Sequence, residues 1–162
     1  AGVALAVRAR YEVGSAYRST GSGEVRVLFG WEFGAGLGHV TRFRPIAERL
    51  SAEGWEIVCA LQEIERGDAL IDRATGRRLP GVRVIQAPRW NIPSDPKIRQ
   101  IPTHIFADVL RIIGYGNVEA LRQRISAWRD LIDVVKPDVV VGAFSPTLNL
   151  APRGRVPHIA VG

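Results

Sequence analysis

The sequence is poor in sulfur and in lysine. Cysteine occurs once, at Cys59, methionine is absent, and only two of the 22 basic residues are lysines, Lys97 and Lys136. A single cysteine cannot form a disulfide bond within the chain, which excludes a disulfide-stapled scaffold. Because Cys59 lies inside an apolar run, we expect a small core residue in a protein of a reducing, cytoplasmic compartment.

Other signals are missing as well. No apolar run approaches the roughly 18–20 residues that cross a bilayer, so no transmembrane helix is predicted. The formal net charge is +6, but the arginines are spread through every segment beside Glu and Asp, and no basic stripe carries interleaved aromatic residues. Nucleic acid is therefore not an expected partner, and no metal site is predicted.

The length and composition indicate one globular domain preceded by a tail. A chain of 162 residues that is 46% hydrophobic and 23% charged can bury a sizeable core. Residues 1–24 contain a Ser/Gly-rich stretch and are predicted to be a flexible or artificially added tail, followed by the domain at 25–162. Because the chain lacks methionine and stops where a strand finishes, we expect it to be a piece of a longer protein.

From Val25 onward, short apolar segments alternate with amphipathic ones. Segments rich in β-branched residues are predicted to form five strands, at 25–29, 55–61, 82–88, 138–144 and 156–162. Helices are predicted from the glycine loop to Leu50, more weakly at 63–74, and at 105–116, 117–135 and 145–151. Near-continuous apolar strands with helices between them favour an α/β, Rossmann-like fold, in which a parallel sheet of about five strands has helices on both faces.

Two of these helices have clear end signals. In the first, Pro45 is predicted to lie in the first turn or to open it. In the long one, Asn117 is predicted to be the N-cap and Pro137 to end the helix. Apolar spacing predicts two buried faces, formed by Val40, Phe43, Ile46, Ala47 and Leu50 in the first helix and by Leu121, Ile125, Trp128, Leu131, Ile132 and Val135 in the long one.

The loop after the first strand contains four glycines. Gly30, Gly34, Gly36 and Gly38 let the backbone approach a ligand closely, and the loop lies where open α/β sheets bind their ligands. Its spacing is not the G-x-G-x-x-G dinucleotide fingerprint, and no G-K-[ST] phosphate-binding loop appears. Glu63 follows the second strand, where a ribose-binding carboxylate would lie. A nucleotide-cofactor-binding oxidoreductase domain therefore remains an alternative.

His39 closes this loop at the start of the helix. An imidazole there can reach a bound hydroxyl group, and its ordinary pKa of ~6.5 suits a general base near neutral pH. A histidine that only caps or packs the turn is the other interpretation. The sequence leaves both open.

Two stretches resemble a known family. "GLGHVTRFRPIAERLSAEGWEIVCAL" (Gly36–Leu61) and "KPDVVVGAFSPTLNLAPRGRVPHIAVG" (Lys136–Gly162) resemble the acceptor-binding half of GT-B glycosyltransferases. The likeness is to the bacterial branch of the family that includes macrolide, flavonoid and glucuronosyl transferases. The resemblance rests on two motifs. The first is Gly-His-Val followed by a proline, and the second is "PDVVVGAF" followed by a short helix and a strand. The resemblance covers roughly 25–162.

The resemblance implies an inverting transfer of a sugar from a nucleotide-diphosphate-sugar to an acceptor hydroxyl. His39 aligns with the family's general base. The family's orienting aspartate matches Gly142, which has no side chain to take that role, and Asp138 lies at the wrong end of its strand. Glu32 and Asp108 are the remaining candidates for an orienting carboxylate, and each also fits a solvated or capping role.

Other expected site residues lie at the same rim. Gly34, Gly36, Gly38 and Ser145 are expected near donor and acceptor, although Ser145 before a proline also fits a plain helix start. Acceptor contacts are expected from aromatic and imidazole side chains, namely Trp31, Phe33, Trp90, His104 and Phe106. A pairing of Trp31 with Trp90 over an apolar cleft would suit a flat or lipophilic acceptor.

The expected partners follow from the same resemblance. They are a small-molecule acceptor and a donor-binding C-terminal domain or separate donor subunit, without which this chain is expected to be inactive. No tightly bound cofactor is expected, since the nucleotide-diphosphate-sugar is a substrate, and a lipid acceptor would bring the chain into peripheral contact with a membrane. A non-catalytic binding or partner module of the same fold is the alternative that Gly142 favours.

Overall fold

The structure is a computed structural model that describes residues 25–33, 38–70, 75–90 and 102–161, apart from the side chain of His39. The predicted tail at 1–24, the loop glycines Gly34 and Gly36, and most of the proline-rich loop after Trp90 lie outside the described residues.

A five-stranded parallel sheet forms the centre of the fold. Its strand order is β3-β2-β1-β4-β5, and every neighbouring pair is parallel. The strands are β1 (Arg26–Trp31), β2 (Glu56–Leu61), β3 (Val82–Gln86), β4 (Val139–Ala143) and β5 (His158–Val161). The predicted α/β, Rossmann-like class is confirmed.

Alternation along β1 divides the core into two layers. Val27, Phe29 and Trp31 pack on one side of the sheet with the apolar face of helix α1 (Gly38–Ala52). Leu28 faces the other side and packs with Trp128 of helix α3 (Val118–Val135). Because side chains alternate along a strand, Gly30 and Glu32 share the α3 side with Leu28.

Helix α1 buries four of the five residues of the predicted face, since Val40, Phe43, Ala47 and Leu50 are at most 2% exposed, and the fifth, Ile46, is half-buried. The predicted position of Pro45 is wrong. The helix already begins at Gly38, so Pro45 lies in its interior. There the ring removes the N–H that would otherwise bond to the carbonyl of Thr41.

Both ends of helix α3 have identifiable caps. The predicted N-cap is confirmed, since the side chain of Asn117 accepts a hydrogen bond from the backbone N–H of Ala120. At the other end Lys136 adopts a left-handed conformation with φ 51° and ψ 55°, and its N–H bonds to the carbonyl of Ile132. Trp128, Ile132 and Val135 are the buried members of the predicted face.

The remaining connections are shorter and less regular. A 3₁₀ helix (Ile64–Leu70) occupies part of the predicted 63–74 helix. Helix α2 (Phe106–Leu110) continues as a π-helical segment (Arg111–Tyr115) that breaks at Gly114, where φ is +100°. The predicted helix at 145–151 is instead a series of turns. Among the described helices, none combines the length and the apolar character needed to cross a membrane.

Candidate functional site

The candidate site lies at the carboxyl ends of β1 and β4. These two strands are neighbours, with Trp31 opposite Ala143, and the chain runs outward from β1 in one direction through β2 and β3 and in the other through β4 and β5. The strand order therefore reverses between β1 and β4. Open α/β sheets bind their ligands outside the carboxyl ends of the strands at such a reversal.

Glu32 follows β1 directly and is fully buried. Its Oε1 accepts a hydrogen bond from the indole Nε1 of Trp90 at 2.6 Å and another from the hydroxyl of Thr147. Its Oε2 accepts from the backbone N–H of Thr147 at 2.9 Å and from that of Leu148 at 3.4 Å. One carboxylate thus joins the ends of β1 and β4 to the residues that follow β3.

The backbone donors of this carboxylate begin a short helical turn. The N–H of Asn149 bonds to the carbonyl of Ser145 at 2.9 Å, and that of Ala151 bonds to the carbonyl of Thr147 at 3.1 Å. The first N–H groups of such a turn have no partner within it and attract anions. Here Glu32 supplies that anion from within the chain, so this turn has little capacity left for a phosphate.

Burial and hydrogen bonding act on Glu32 in opposite directions. Burial raises the pKa of Glu32 above its ordinary value of 4.5, and this outweighs the hydrogen bonds from Thr147, Trp90 and Leu148, which lower it. Burial dominates because a charged carboxylate loses its hydration there.

Two glycines make room for this turn against the sheet. Gly30 of β1 lies opposite Gly142 of β4. A Cβ atom on Gly30 would meet Cδ2 of Leu148 at 2.0 Å, and one on Gly142 would meet Oδ1 of Asn149 at 2.3 Å. The side chains of Leu148 and Asn149 therefore fill the space that side chains at 30 and 142 would need.

The connection between β4 and the turn is tightly held. Phe144 has φ +47°, an uncommon conformation for a residue with a side chain. Its carbonyl accepts the N–H of Phe33 at 3.1 Å. The hydroxyl of Ser145 is buried and lies 2.9 Å from each of the carbonyl oxygens of Gly30 and Ala143, which share its single proton as acceptors.

Aromatic side chains surround the carboxylate. The ring of Trp90 lies 4.9 Å from that of Phe33 and stacks on Tyr115 with a centroid distance of 5.1 Å and an interplanar angle of 15°. Phe144 continues the group, at 6.0 Å from Phe33 and 5.6 Å from Phe106. Phe106 is 51% exposed, so this aromatic cluster extends from a buried carboxylate to the surface.

Arg124 of α3 completes the cluster. Its guanidinium carbon lies 3.7 Å from the centroid of the Trp90 ring, a cation–π contact. Its Nη1 donates to the carbonyl of Ala120 at 3.1 Å. Trp90 thus contacts a cation through its ring and an anion, Glu32, through its N–H.

The predicted acceptor-binding residues have different surroundings. Phe33, Trp90 and Phe106 come together in the aromatic cluster, whereas His104 is exposed before α2. Trp31 is fully buried in the core layer under α1, and its indole N–H donates to the carbonyl of Phe33. The ring of Trp31 therefore offers no surface to a ligand in this structure.

The predicted carboxylates are engaged as well. Asp108 caps its own helix, because its Oδ2 accepts the backbone N–H groups of His104 at 3.0 Å and Ile105 at 3.1 Å. Asp138 lies at the amino end of β4 and accepts the N–H of Arg26 at 2.8 Å. Glu63, the candidate ribose-binding residue, forms an ion pair with Arg66 at 2.7 Å.

His39 occupies the first turn of α1, directly after the exposed Gly38. Helix α1 follows β1 across a short loop, so its N-terminus lies at the same edge of the sheet as Glu32. The imidazole itself and the loop residues 34–37 lie outside the described residues.

Sequence reasoning missed several residues of this site. Tyr115, Phe144, Thr147 and Asn149 contribute through contacts that are distant in sequence, for which no local signal exists. Arg124 did leave a signal, because it follows Leu121 by three residues and precedes Trp128 by four. It therefore places a charge on the helix face that was predicted to be buried.

Comparisons with known proteins support the fold. No protein-family model matches the chain, and no curated protein matches it. Among solved structures, the glycosyltransferase VinC in complex with DTDP is similar with a TM-score of 0.50 and 14% identity, over 84% of this chain and 34% of that one.

Two further structures are less similar. The UGT73P12 of Glycyrrhiza uralensis, complexed with glycyrrhetinic acid 3-O-monoglucuronide, gives a TM-score of 0.49 at 16% identity, over 85% of this chain and 28% of that one. A C-terminal domain of the PF1911 hydrogenase of Pyrococcus furiosus gives 0.40 at 12% identity, over 85% and 89% of the two chains. Neither score is high enough to carry an argument.

The likeness to VinC shows a GT-B-like fold and no more than the fold. The chain spans about a third of the length of VinC, since the similarity covers 34% of that protein.

Proposed function

We propose that this chain is the acceptor-binding domain of an inverting glycosyltransferase, with His39 as the general base. The observation that carries the proposal is the aromatic cluster at the carboxyl edge between β1 and β4. Its partly exposed apolar surface is formed by Phe106 and Phe144. Hydrogen bonds from Trp90 and Thr147 to the buried Glu32 hold the cluster in place. The N-terminus of α1, which carries His39, lies at the same edge.

The chemistry assigns one proton transfer to this chain. His39 accepts the proton of the acceptor hydroxyl as its oxygen attacks the anomeric carbon of the donor sugar, and the bond to the nucleotide diphosphate breaks on the opposite face. The configuration is inverted because a single displacement occurs. A histidine is suited to this step because its ordinary pKa of ~6.5 leaves it neutral at physiological pH.

The orienting carboxylate in this proposal is Glu32 or Asp108. Both accept hydrogen bonds from other groups, Glu32 from Trp90, Thr147 and Leu148, and Asp108 from its own helix start. A bond from the imidazole to Glu32 requires the carboxylate to release one of these donors. Gly142, which matches the position of the family's orienting aspartate, has no side chain that could accept a hydrogen bond from the imidazole.

The donor is a nucleotide-diphosphate-sugar, which a second domain or a separate donor subunit would bind. The inward-facing N–H groups of Thr147 and Leu148 are occupied by Glu32, so this turn is not expected to hold the diphosphate. The acceptor is a small molecule with an apolar surface that fits Phe33, Phe106 and Phe144.

The test is the substitution His39→Ala in the complete enzyme or in the chain combined with its donor domain. Loss of a general base is expected to reduce kcat by about 10²–10⁴-fold, with acceptor affinity and the circular dichroism spectrum unchanged. His158→Ala is the matched control, because His158 begins β5 at the edge of the sheet opposite to the candidate site. Transfer that continues at the original rate in the His39 variant would remove His39 from the mechanism.

A non-catalytic binding module is the second candidate, and the surroundings of Gly142 favour it. The side chain of Asn149 occupies the space beside Gly142, so the turn leaves no room for a carboxylate side chain at that position. Saturable binding of an acceptor without turnover, measured beside an active donor domain over a panel of nucleotide sugars, would establish this candidate in place of the first.

A further inference from the structure

A cavity of about 270 Å³, open to solvent, lies at the amino ends of β4 and β5. This is the edge of the sheet opposite to the candidate site. The C-terminal turn of α3 forms one wall, and the connection that leads into β5 forms the other. The cavity is lined by Ile132, Asp133, Lys136, Pro137, Arg155 and Val156.

The floor of the cavity is apolar. Ile132 is 3% exposed, Pro137 is buried, and Val156 packs against the core layer on the α3 side of the sheet. Two charges at the rim neutralise each other, because Nη2 of Arg155 lies 2.6 Å from Oδ1 of Asp133.

Lys136 gives the rim one positive charge in excess. Its side chain is exposed, and none of the ion pairs among the described residues includes it. The cavity therefore favours an occupant that combines an apolar group with one negative charge.

The chain enters β1 beside this cavity. The N–H of Asp138 bonds to the carbonyl of Arg26 at 2.8 Å, and the N–H of Arg26 bonds to Oδ2 of Asp138 at 2.8 Å. Since the two strands are parallel neighbours, the same register continued back by two residues brings Glu24 beside Lys136. These two side chains have opposite charges.

The sequence before Glu24 also supplies an apolar group. Tyr17 is the nearest aromatic residue upstream, and Gly21-Ser22-Gly23 between them favours a reversal of the chain. The seven positions from Tyr17 to Glu24 span at most about 23 Å, which is sufficient to fold back over the cavity. A volume below the roughly 300–1,000 Å³ of small-molecule pockets suits a single side chain, and tyrosine combines an apolar ring with a hydroxyl for the wet rim.

We propose that residues 17–24 dock on this cavity, with the ring of Tyr17 on Ile132 and Val156 and the carboxylate of Glu24 paired with Lys136. The occupant is the chain's own N-terminal segment, so the domain begins at Tyr17 and the flexible tail expected from the sequence is shorter. The docking does not depend on the function proposed above, because the cavity and the candidate site lie at opposite edges of the sheet.

NMR spectroscopy of the full chain with labelled methyl groups tests the contact directly. Nuclear Overhauser effects are expected between the ring protons of Tyr17 and the methyl groups of Ile132 and Val156. Tyr17→Ser should remove them and shift both methyl signals. Tyr11→Ser is the matched control, because Tyr11 precedes the docked residues, and it should leave both signals unchanged.

Trypsin cleavage tests the ion pair. Cleavage after Arg18, measured by mass spectrometry relative to cleavage after Arg10, should be slow in the original chain. Lys136→Glu and Glu24→Lys are each expected to accelerate it by about two- to fivefold, as the loss of an exposed ion pair does. The double variant exchanges the two charges and should restore slow cleavage.

Arg153→Glu is the matched control for Lys136→Glu. Arg153 is an exposed residue of the connection before β5 and does not line the cavity. Its variant should keep the original rate of cleavage after Arg18. Acceleration equal to that of Lys136→Glu would reduce the effect to net charge and reject the pair.

Other results would overturn the proposal. Absence of contacts between Tyr17 and the two methyl groups, or equal cleavage after Arg18 and Arg10 in the original chain, would reject the docking. Contacts that appear only between differently labelled copies would assign the cavity to a dimer instead. Additive effects of the two charge reversals would reject the pairing of Glu24 with Lys136.

Discussion

Gly30 and Gly142 lie opposite each other on β1 and β4, and the side chains of Leu148 and Asn149 occupy the space above them. The two glycines let the turn that follows β4 pack directly on the sheet. The shape of the candidate site at this edge therefore depends on the absence of two β-carbons in neighbouring strands.

The first prediction concerns these two positions. Gly30→Ala and Gly142→Ala are each expected to lower the free energy of unfolding by about 1–3 kcal/mol, because the added Cβ overpacks the turn. Gly116→Ala is the control, since a Cβ there meets nothing within 4 Å and φ is −73°. Urea unfolding of the three variants measures the effect, and a loss in Gly116→Ala equal to that of the others would contradict the explanation.

The second prediction concerns replacement of Gly142 by aspartate. Gly142→Asp alone is expected to destabilise the fold, because its Cβ would lie 2.3 Å from Oδ1 of Asn149. Adding Asn149→Ala is expected to recover about 0.5–3 kcal/mol of unfolding free energy, the range found for residues in contact. A double-mutant cycle gives the coupling energy, and strictly additive effects would show that the two side chains do not compete for space.

The third prediction concerns Glu32. Glu32→Gln is expected to lower the free energy of unfolding by about 1–3 kcal/mol, although it removes a buried charge. Both carboxylate oxygens accept hydrogen bonds, so the amide NH₂ of glutamine must face a donor on one side. Thermal unfolding measures the loss, and Glu48→Gln at an exposed ion pair with Arg44 is the control.

The pH dependence of stability gives a second readout for Glu32. Its pKa is raised above 4.5 in the folded chain, so over the interval just above 4.5 the folded chain binds this proton more tightly than the unfolded chain. The contribution of Glu32 to stability therefore decreases as pH rises through that interval. Glu32→Gln should lack this decrease, and the difference between the two unfolding curves isolates it. A difference that grows with rising pH would contradict the sign.

The fourth prediction concerns Cys59. This thiol is fully buried in β2, and burial raises its pKa to about 12. Because the thiolate is the reactive form, Cys59 should not react with Ellman's reagent at pH 8 in the folded chain and should react at once in denaturant. Rapid reaction of the native chain at a rate independent of its unfolding rate would show that the thiol is accessible.

The fold could be predicted from local patterns. Apolar strands such as 138–144 and the alternation of strand and helix indicate a parallel sheet. Asn117 is the N-cap of its helix because its side-chain oxygen accepts a backbone N–H of the first turn. The position of Pro45 was wrong because the helix starts at Gly38, and residues 34–38 of the sequence contain no Ser, Thr, Asp or Asn that would indicate an N-cap there. The sequence therefore does not distinguish a proline in the interior of a helix from one in its first turn.

The site could be predicted only in part. Glu32, Phe33 and Trp90 were identified because they follow strands of a sheet whose carboxyl ends meet at one edge. Their connections were not identifiable, since Trp90 contacts Tyr115 and Arg124 across long sequence separations. Gly142 looked like the loss of a functional group in the sequence, whereas the structure shows that Asn149 fills its place.

The hydrogen bonds of Glu32 also determine how this region could be exchanged between proteins. Glu32, Trp90 and the turn at Thr147 belong to three separate connections, yet one buried carboxylate satisfies donors from two of them. If a chimaera transfers only the connection after β4 into another protein, its N–H groups lose the carboxylate that accepts them. If that connection is instead replaced in this chain, Glu32 stays buried without its backbone donors. Transplanting a new specificity into this scaffold therefore requires moving all three connections together, as one module.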